Sequence, residues 1–322
     1  MIKRTILLFT GQGSQYGGMG LTLKENIISK KYWALANSVL KKNIRDVSFY
    51  GSNADIKKTN NCQMLLFVNE YISSRLILKN KLIKEPTILG GFSLGEVSAY
   101  ICSGITNFIN GLLVINQRCF LMGKCCDIHK GAMLAILNKK GLDAWGKAII
   151  LCKKLKLQLS NINSLNQIVV SGNCYSISVL KEFLSKPKVK LNLNYKVVLL
   201  KVSGAYHSSL MNQAGLNIFE FMNKFSLRPP QKYIFNNVTG DVFVKYNSKL
   251  LLVFNIAKQI LKSVNLNKNI VELLKIGNLD FIEMNKLKTV TNIIKVATSS
   301  SSKNKFTLLD DVNIKKVLDL LQ

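Results

Sequence analysis

One short segment, Gly91-Phe92-Ser93-Leu94-Gly95-Glu96, constrains this chain more than any other. It stands where the apolar stretch 87–92, which reads as a strand, gives way to 95–102, which reads as a helix. A serine at such a corner, with a glycine two residues to either side, fits a sharp turn that exposes the hydroxyl at the positive end of a helix. The chemistry needs that placement, because a serine hydroxyl is a weak nucleophile unless it is presented and activated. The glycines leave room for the strained turn and for close packing. The amide of Leu94 can then donate to a developing oxyanion. The same spacing also serves in tight turns that carry no chemistry, so the rest of the chain must decide.

The surroundings suit the chemical reading. Residues 6–10 read as a short buried strand ending in a glycine-rich turn, and 62–80 and 107–125 carry apolar residues at helical spacing. This alternation implies a mostly parallel sheet covered by helices. The middle differs. A strand at 131–137, a helix at 142–155, two strands within 158–171 about the turn 163–166, a helix at 177–184 and a strand at 195–202 follow in the order β-α-β-β-α-β. That order suits a ferredoxin-like unit. The 322 residues allow two such bodies. The division expected is 1–130 with 203–322 as the large subdomain and 131–202 as the small one. Residues 299–305 form the one low-complexity stretch, a loop before a last helix at 314–321.

Composition excludes several classes. Lysine and arginine number 45 against 17 acidic residues, a net charge of +28. The lysines are spread along the chain among many isoleucines, which reads as compositional drift rather than a built polyanion site. The densest basic spots, Lys153-Lys154 and 186–190, are short and lack interleaved aromatics, so nucleic acid is not expected as a partner. Seven cysteines without a CxxC pair, beside two histidines, give no zinc site and fit reduced thiols. No apolar run approaches the ~20 residues that span a bilayer. The start, 1–10, could pass for a weak signal peptide, but 5–10 reads as a buried first strand and a cytoplasmic protein is expected.

Five further segments extend the case, in order: Gly11-Gln12-Gly13-Ser14-Gln15, Gln117-Arg118 with Met122, Gly131-Ala132-Met133, Ala205-Tyr206-His207-Ser208 and Asn236-Asn237-Val238-Thr239-Gly240. With the serine turn they resemble the malonyl-CoA:acyl carrier protein transacylases and related acyltransferase domains, from Phe9 to about Leu261. The resemblance implies an α/β-hydrolase-like large subdomain with an inserted ferredoxin-like small one. It implies Ser93 as nucleophile, His207 as general base and Gln259 at the position of the third partner, where the family carries a glutamine region rather than an acid. Gln12 and the Leu94 amide would form the oxyanion hole. Arg118 would clamp a free carboxylate, since a guanidinium binds one bidentately, and this favours malonyl over acetyl. Tyr206 stands where malonyl-selective relatives commonly carry phenylalanine; its bulk disfavours an α-methyl branch. His129, on a polar stretch, is expected at the surface.

Two departures stand out. Phe92 replaces the family's usual histidine before the serine, beside the substrate. Residues 282–287, Ile-Glu-Met-Asn-Lys-Leu, replace a glycine-proline-glycine turn; altered local packing is expected there, not lost chemistry. The function implied is a free-standing transfer of malonyl from malonyl-CoA to the thiol of an acidic, phosphopantetheinylated acyl carrier protein, serving fatty-acid or polyketide synthesis. No bound cofactor, no metal, no membrane and a monomeric chain go with it. Two alternatives stand beside it: a hydrolase that clears acyl groups from carrier proteins, and a non-catalytic scaffold that binds them.

Overall fold

The computed structural model describes residues 4–83, 86, 88–138, 145–187, 195–242, 244, 246, 248–277, 279–298 and 304–320. Nine strands lie among the described residues: β1 (Arg4–Phe9), β2 (Ile88–Gly91), β3 (Gly131–Asn138), β4 (Gln158–Ser164), β5 (Gln167–Asn173), β6 (Tyr195–Leu199), β7 (Tyr233–Ile234), β8 (Leu279–Glu283) and β9 (Lys305–Leu308). They form two sheets.

The larger sheet runs β7-β2-β1-β8-β9, and every neighbouring pair is parallel. β1 is its centre. Its apolar run needs no alternation because both faces are covered. Ile6 and Leu8 pack with Ile88, Phe235, Ile270 and Phe281 on one face. Leu7 and Phe9 pack with Met19, Leu65, Leu94 and Val97 on the other. The 62–80 helix expected from periodicity runs Thr59–Lys79, and the next one runs Phe108–Ile128.

The smaller sheet is antiparallel, in the order β4-β5-β3-β6. With helices Trp145–Lys154 and Cys174–Ser185 this is the β-α-β-β-α-β arrangement read from the sequence. Here the side chains do alternate. Leu134, Ile136, Ile168 and Val170 face those two helices. Met133, Ala135 and Val169 face the other way, into the main core. The β4–β5 turn is tighter than the expected 163–166. Ser164 still pairs with Gln167, so Asn163 and Ser164 belong to the strand and a two-residue turn closes the hairpin. β6 stops at Leu199 rather than 202, though the Leu200 amide still donates to the Met133 carbonyl at 2.9 Å. A strap at Val264 docks on β4: Ile162 N–H donates to Val264 O, and Val264 N–H to Ser160 O, both at 2.9 Å.

Several helices have no counterpart in the sequence reading, among them Ile27–Leu40, Asn212–Asn223, Lys249–Gln259, Leu266–Leu274 and Thr289–Thr298. Three of them begin at side-chain caps. Asn26, Ser248 and Asn265 each accept from a backbone N–H in the first turn. The last helix runs Asp311–Leu320. The expected helix start at 142–144 and most of the loop 299–305 lie outside the described residues.

Candidate active site

Ser93 sits between β2 and the helix Leu94–Tyr100 with φ 55° and ψ −101°. That strained conformation explains the flanking glycines. A Cβ on Gly91 would overlap the backbone of Gly95, and a Cβ on Gly95 would overlap the carbonyls of Phe9 and Thr10. Backbone atoms cannot step aside. The turn is also pinned from outside. Ser93 N–H donates to Asn237 Oδ1 at 3.0 Å, and Asn237 Nδ2 donates to the Gly91 carbonyl at 3.0 Å.

His207 arrives from beyond the small sheet, itself at φ 56°. Its Nε2 accepts from Ser93 Oγ at 2.7 Å. Its Nδ1 lies 2.8 Å from the backbone carbonyl of Gln259. A carbonyl can only accept, so Nδ1 carries the proton and Nε2 keeps the lone pair that serine needs. Burial, and then the nearby charge of Arg118, push the imidazole down to about 4, against the pull of the Gln259 carbonyl.

The third partner is therefore the main chain of Gln259 rather than its amide. The Gln259 side chain lies beneath the turn. Its Nε2 donates to the Ser93 carbonyl at 2.5 Å and to Glu96 Oε2 at 2.9 Å. The other Glu96 oxygen accepts from Asn237 N–H at 3.1 Å. Burial raises the Glu96 carboxyl to about 8, while the donors Gln259 and Asn237 and the charge of Arg118 favour its ionised form.

Arg118 projects from the middle of its helix and is only 2% exposed. One terminal nitrogen donates to Gln63 Oε1. The other reaches Ser93 Oγ and Gln259 Oε1, each at 3.4 Å. Its Nε has no partner among the described residues. A buried cation held this loosely is suited to an incoming anion.

Ser93, His207, Arg118 and Gln63 line one cavity of about 220 Å³ together with Gln12, Phe92, Leu94 and Tyr206. Its opposite wall comes from the small sheet: Met133, Ala135, Asn161, Asn163, Gln167 and Val169. Asn163 is buried there, and its Oδ1 has no partner among the described residues. Tyr206 is buried too. His129 is exposed, away from the site.

The segment 282–287 lies far from Ser93 in sequence but close to the site in space. Met284 N–H donates to Leu8 O at 3.0 Å, and buried Asn285 donates to the Ser14 carbonyl at 3.0 Å. Asn285 Oδ1 accepts from Leu287 N–H at 2.9 Å, so an asparagine side chain makes the turn that glycine and proline would otherwise shape. Sequence reasoning missed Gln63, for which no motif speaks. It quoted Glu96 and Asn237 inside motifs without giving either a role.

A doubly packed parallel sheet, a strained serine at its carboxyl edge, an imidazole of fixed tautomer and a buried guanidinium are the parts that a serine-dependent α/β enzyme would need. The comparisons narrow that class. The acyl transferase domain family matches residues 6–312. The malonyl CoA-acyl carrier protein transacylase of Synechocystis is 30% identical over 316 residues, 96% of this chain and 99% of its own. The polyketide biosynthesis malonyl CoA-acyl carrier protein transacylase of Bacillus subtilis is 30% identical over 292 residues, 89% of this chain and 94% of its own. The crystal structure of the Synechocystis malonyl-CoA:ACP transacylase superposes with a TM-score of 0.81 at 26% identity, covering 98% of this chain and 99% of its own. This chain belongs to the acyl transferase domain family.

The described residues contain no helix long and apolar enough to cross a membrane and no group of three or more His, Cys, Asp or Glu able to hold a metal ion.

Proposed function

We propose that the chain transfers malonyl from malonyl-CoA to the phosphopantetheine thiol of an acyl carrier protein. Ser93 Oγ attacks the thioester carbonyl as His207 Nε2 takes its proton. The oxyanion rests on the Leu94 amide and Gln12. Collapse breaks the C–S bond, and the departing CoA thiolate takes the proton back from His207. The carrier's thiol then gives its proton to His207, and its sulfur attacks the ester. Ser93 leaves with that proton. Malonyl-CoA is a substrate here, and the cycle needs no bound cofactor.

One observation carries the reading: the loosely held, buried guanidinium of Arg118 shares a cavity with the Ser93–His207 pair. An acyl group ending in a carboxylate completes that arrangement. A hydrolase acting on plain acyl chains has no use for the clamp. Phe92 and the Tyr206 ring add apolar bulk beside the acyl position. The matched polyketide and general transacylases leave both fatty-acid and polyketide synthesis as the service performed. The net charge of +28 would speed encounter with an acidic carrier. The free cysteines fit a cytoplasmic setting. The reading also takes 131–202 as the small subdomain inserted between 1–130 and 203–322.

Mass spectrometry of the intact protein tests the reading. Malonyl-CoA should add one malonyl group to the wild type and none to Ser93→Ala. An unmodified wild type would favour the scaffold, and hydrolysis outrunning transfer to the carrier thiol would favour the hydrolase.

A further inference from the structure

Outside the cleft lie a basic hollow of about 830 Å³ bordered by Lys42, Lys58 and Lys130, a second of about 300 Å³ behind His207, and several buried carboxyls. The hollows have exposed lysine rims and nothing that selects a ligand. The carboxyl of Glu96 has more.

We infer that Glu96 is a positioning residue for the acyl transfer: it fixes the Gln259 segment so that the Gln259 carbonyl aims the His207 imidazole at Ser93. The inference rests on the proposed reading of the site. Glu96 is fully buried, one turn below the nucleophile on the same helix. Both of its oxygens are engaged, and each partner belongs to a segment that touches the reacting groups. Through Oε2 it holds Gln259 Nε2 at 2.9 Å. The carbonyl of that same glutamine receives the His207 Nδ1 proton at 2.8 Å. Through Oε1 it holds the Asn237 amide at 3.1 Å, and Asn237 Oδ1 holds Ser93 N–H at 3.0 Å.

A carbonyl is a neutral acceptor and orients an imidazole less firmly than a carboxylate would. Here the charged acceptor lies one residue removed, because both Glu96 oxygens accept N–H bonds and so favour the ionised form against the pull of burial. It anchors the carbonyl instead of touching the ring, and it anchors the serine turn as well. Glu96 meets the amide nitrogen of Gln259, whereas Arg118 meets that amide's oxygen at 3.4 Å, so the loss of Glu96 should change the rate of acylation more than substrate binding.

The test uses the full-length protein and single-turnover acylation by malonyl-CoA. Glu96→Gln keeps the volume but turns an N–H against one of the two donors. It should slow acylation by about a hundredfold, the scale of a ~1 Å misplacement, with half-saturation unchanged within about threefold. Gln259→Met removes the amide link yet keeps the carbonyl that meets His207, and it should slow acylation similarly. The double variant should be no slower than the worse single by more than about threefold, as expected for residues acting as one unit. Proton NMR reads the anchor directly. Of the two histidines His129 is exposed, so a protected downfield imidazole N–H reports His207 Nδ1. That signal should weaken or vanish in both variants.

Either variant acylating at the wild-type rate overturns the inference. So does lost rate with an unchanged Nδ1 signal, or effects that multiply in the double variant. Should Glu96→Gln fail to fold, Glu96→Asp, whose carboxylate stops one methylene short of both donors, decides by the same criteria. If the wild type takes no malonyl, the reading of the site has failed, and the substrate-free NMR comparison still judges the anchor.

Discussion

On the parallel-sheet side of the cleft the reactive groups are held by backbone; on the antiparallel side the wall is made of side chains. Gly91 and Gly95 abut main-chain atoms, and both Ser93 and His207 carry positive φ. In the small sheet, Met133, Ala135 and Val169 give the cleft a plain apolar surface, and on the face turned away from the cleft the space beside Gly172 is filled by the end of Leu157. The proposed chemistry thus sits where main-chain atoms leave no room, and the facing wall is built of side chains that can be exchanged.

Glycine substitutions break or sharpen this contrast most strongly. Gly95→Ala should destabilise by about 3 kcal/mol or more, because a methyl group meets fixed carbonyls. Gly172→Ala should cost about 1 kcal/mol, since Leu157 can change rotamer. Thermal or urea unfolding of the two variants checks the difference, and equal losses would erase the distinction.

Arg118 comes next. Arg118→Ala should lower acylation by malonyl-CoA about a hundredfold, the loss of a bidentate charged contact, and leave acetyl-CoA nearly untouched. It should also move the pH profile. In the wild type His207 stays neutral well below its ordinary value of 6.5, so the acylation rate should hold through that pH and fall only toward about 4. Removing the cation removes one cause of the depression. The acidic limb should then shift upward yet stay below 6.5, because burial, the larger cause, remains. Stability follows the same sign. The unfolded chain binds this proton and the folded one resists it, so His207 should weaken folding as pH falls from 6.5 toward 4. Stopped-flow acylation and unfolding across that range test both statements.

The smallest effect belongs to the side-chain wall. Asn163→Ala removes a buried carbonyl oxygen without a partner among the described residues. Folding stability should therefore stay level or rise slightly. Affinity for the pantetheine amides of malonyl-CoA should fall by about tenfold, the worth of one hydrogen bond, as calorimetry on Ser93→Ala background protein would show.

The sequence carried the parts whose causes are local. Glycine spacing announced the turn at Ser93, and period-two and period-3.6 patterns announced the small unit, whose strand pairs are close in the chain. It was silent where the cause spans long separations. Glu96 meets Asn237 and Gln259, more than 140 positions away, only after the sheet is assembled. The 282–287 segment looked remote because nothing local says that β8 pairs with β1. Gln259 was found, but its role fell to the carbonyl that every residue has, which no side-chain pattern reports.

The central place of β1 has a consequence for biosynthesis. Its two neighbours, β2 and β8, are made almost two hundred residues apart. While the nascent chain leaves the ribosome, β1 and β2 must wait with an open edge until residues 279–283 emerge, whereas the small antiparallel unit can close on itself long before. The smaller sheet is thus ready ahead of the larger one, and the unsealed edge of β1 is where stalled chains would stick to one another.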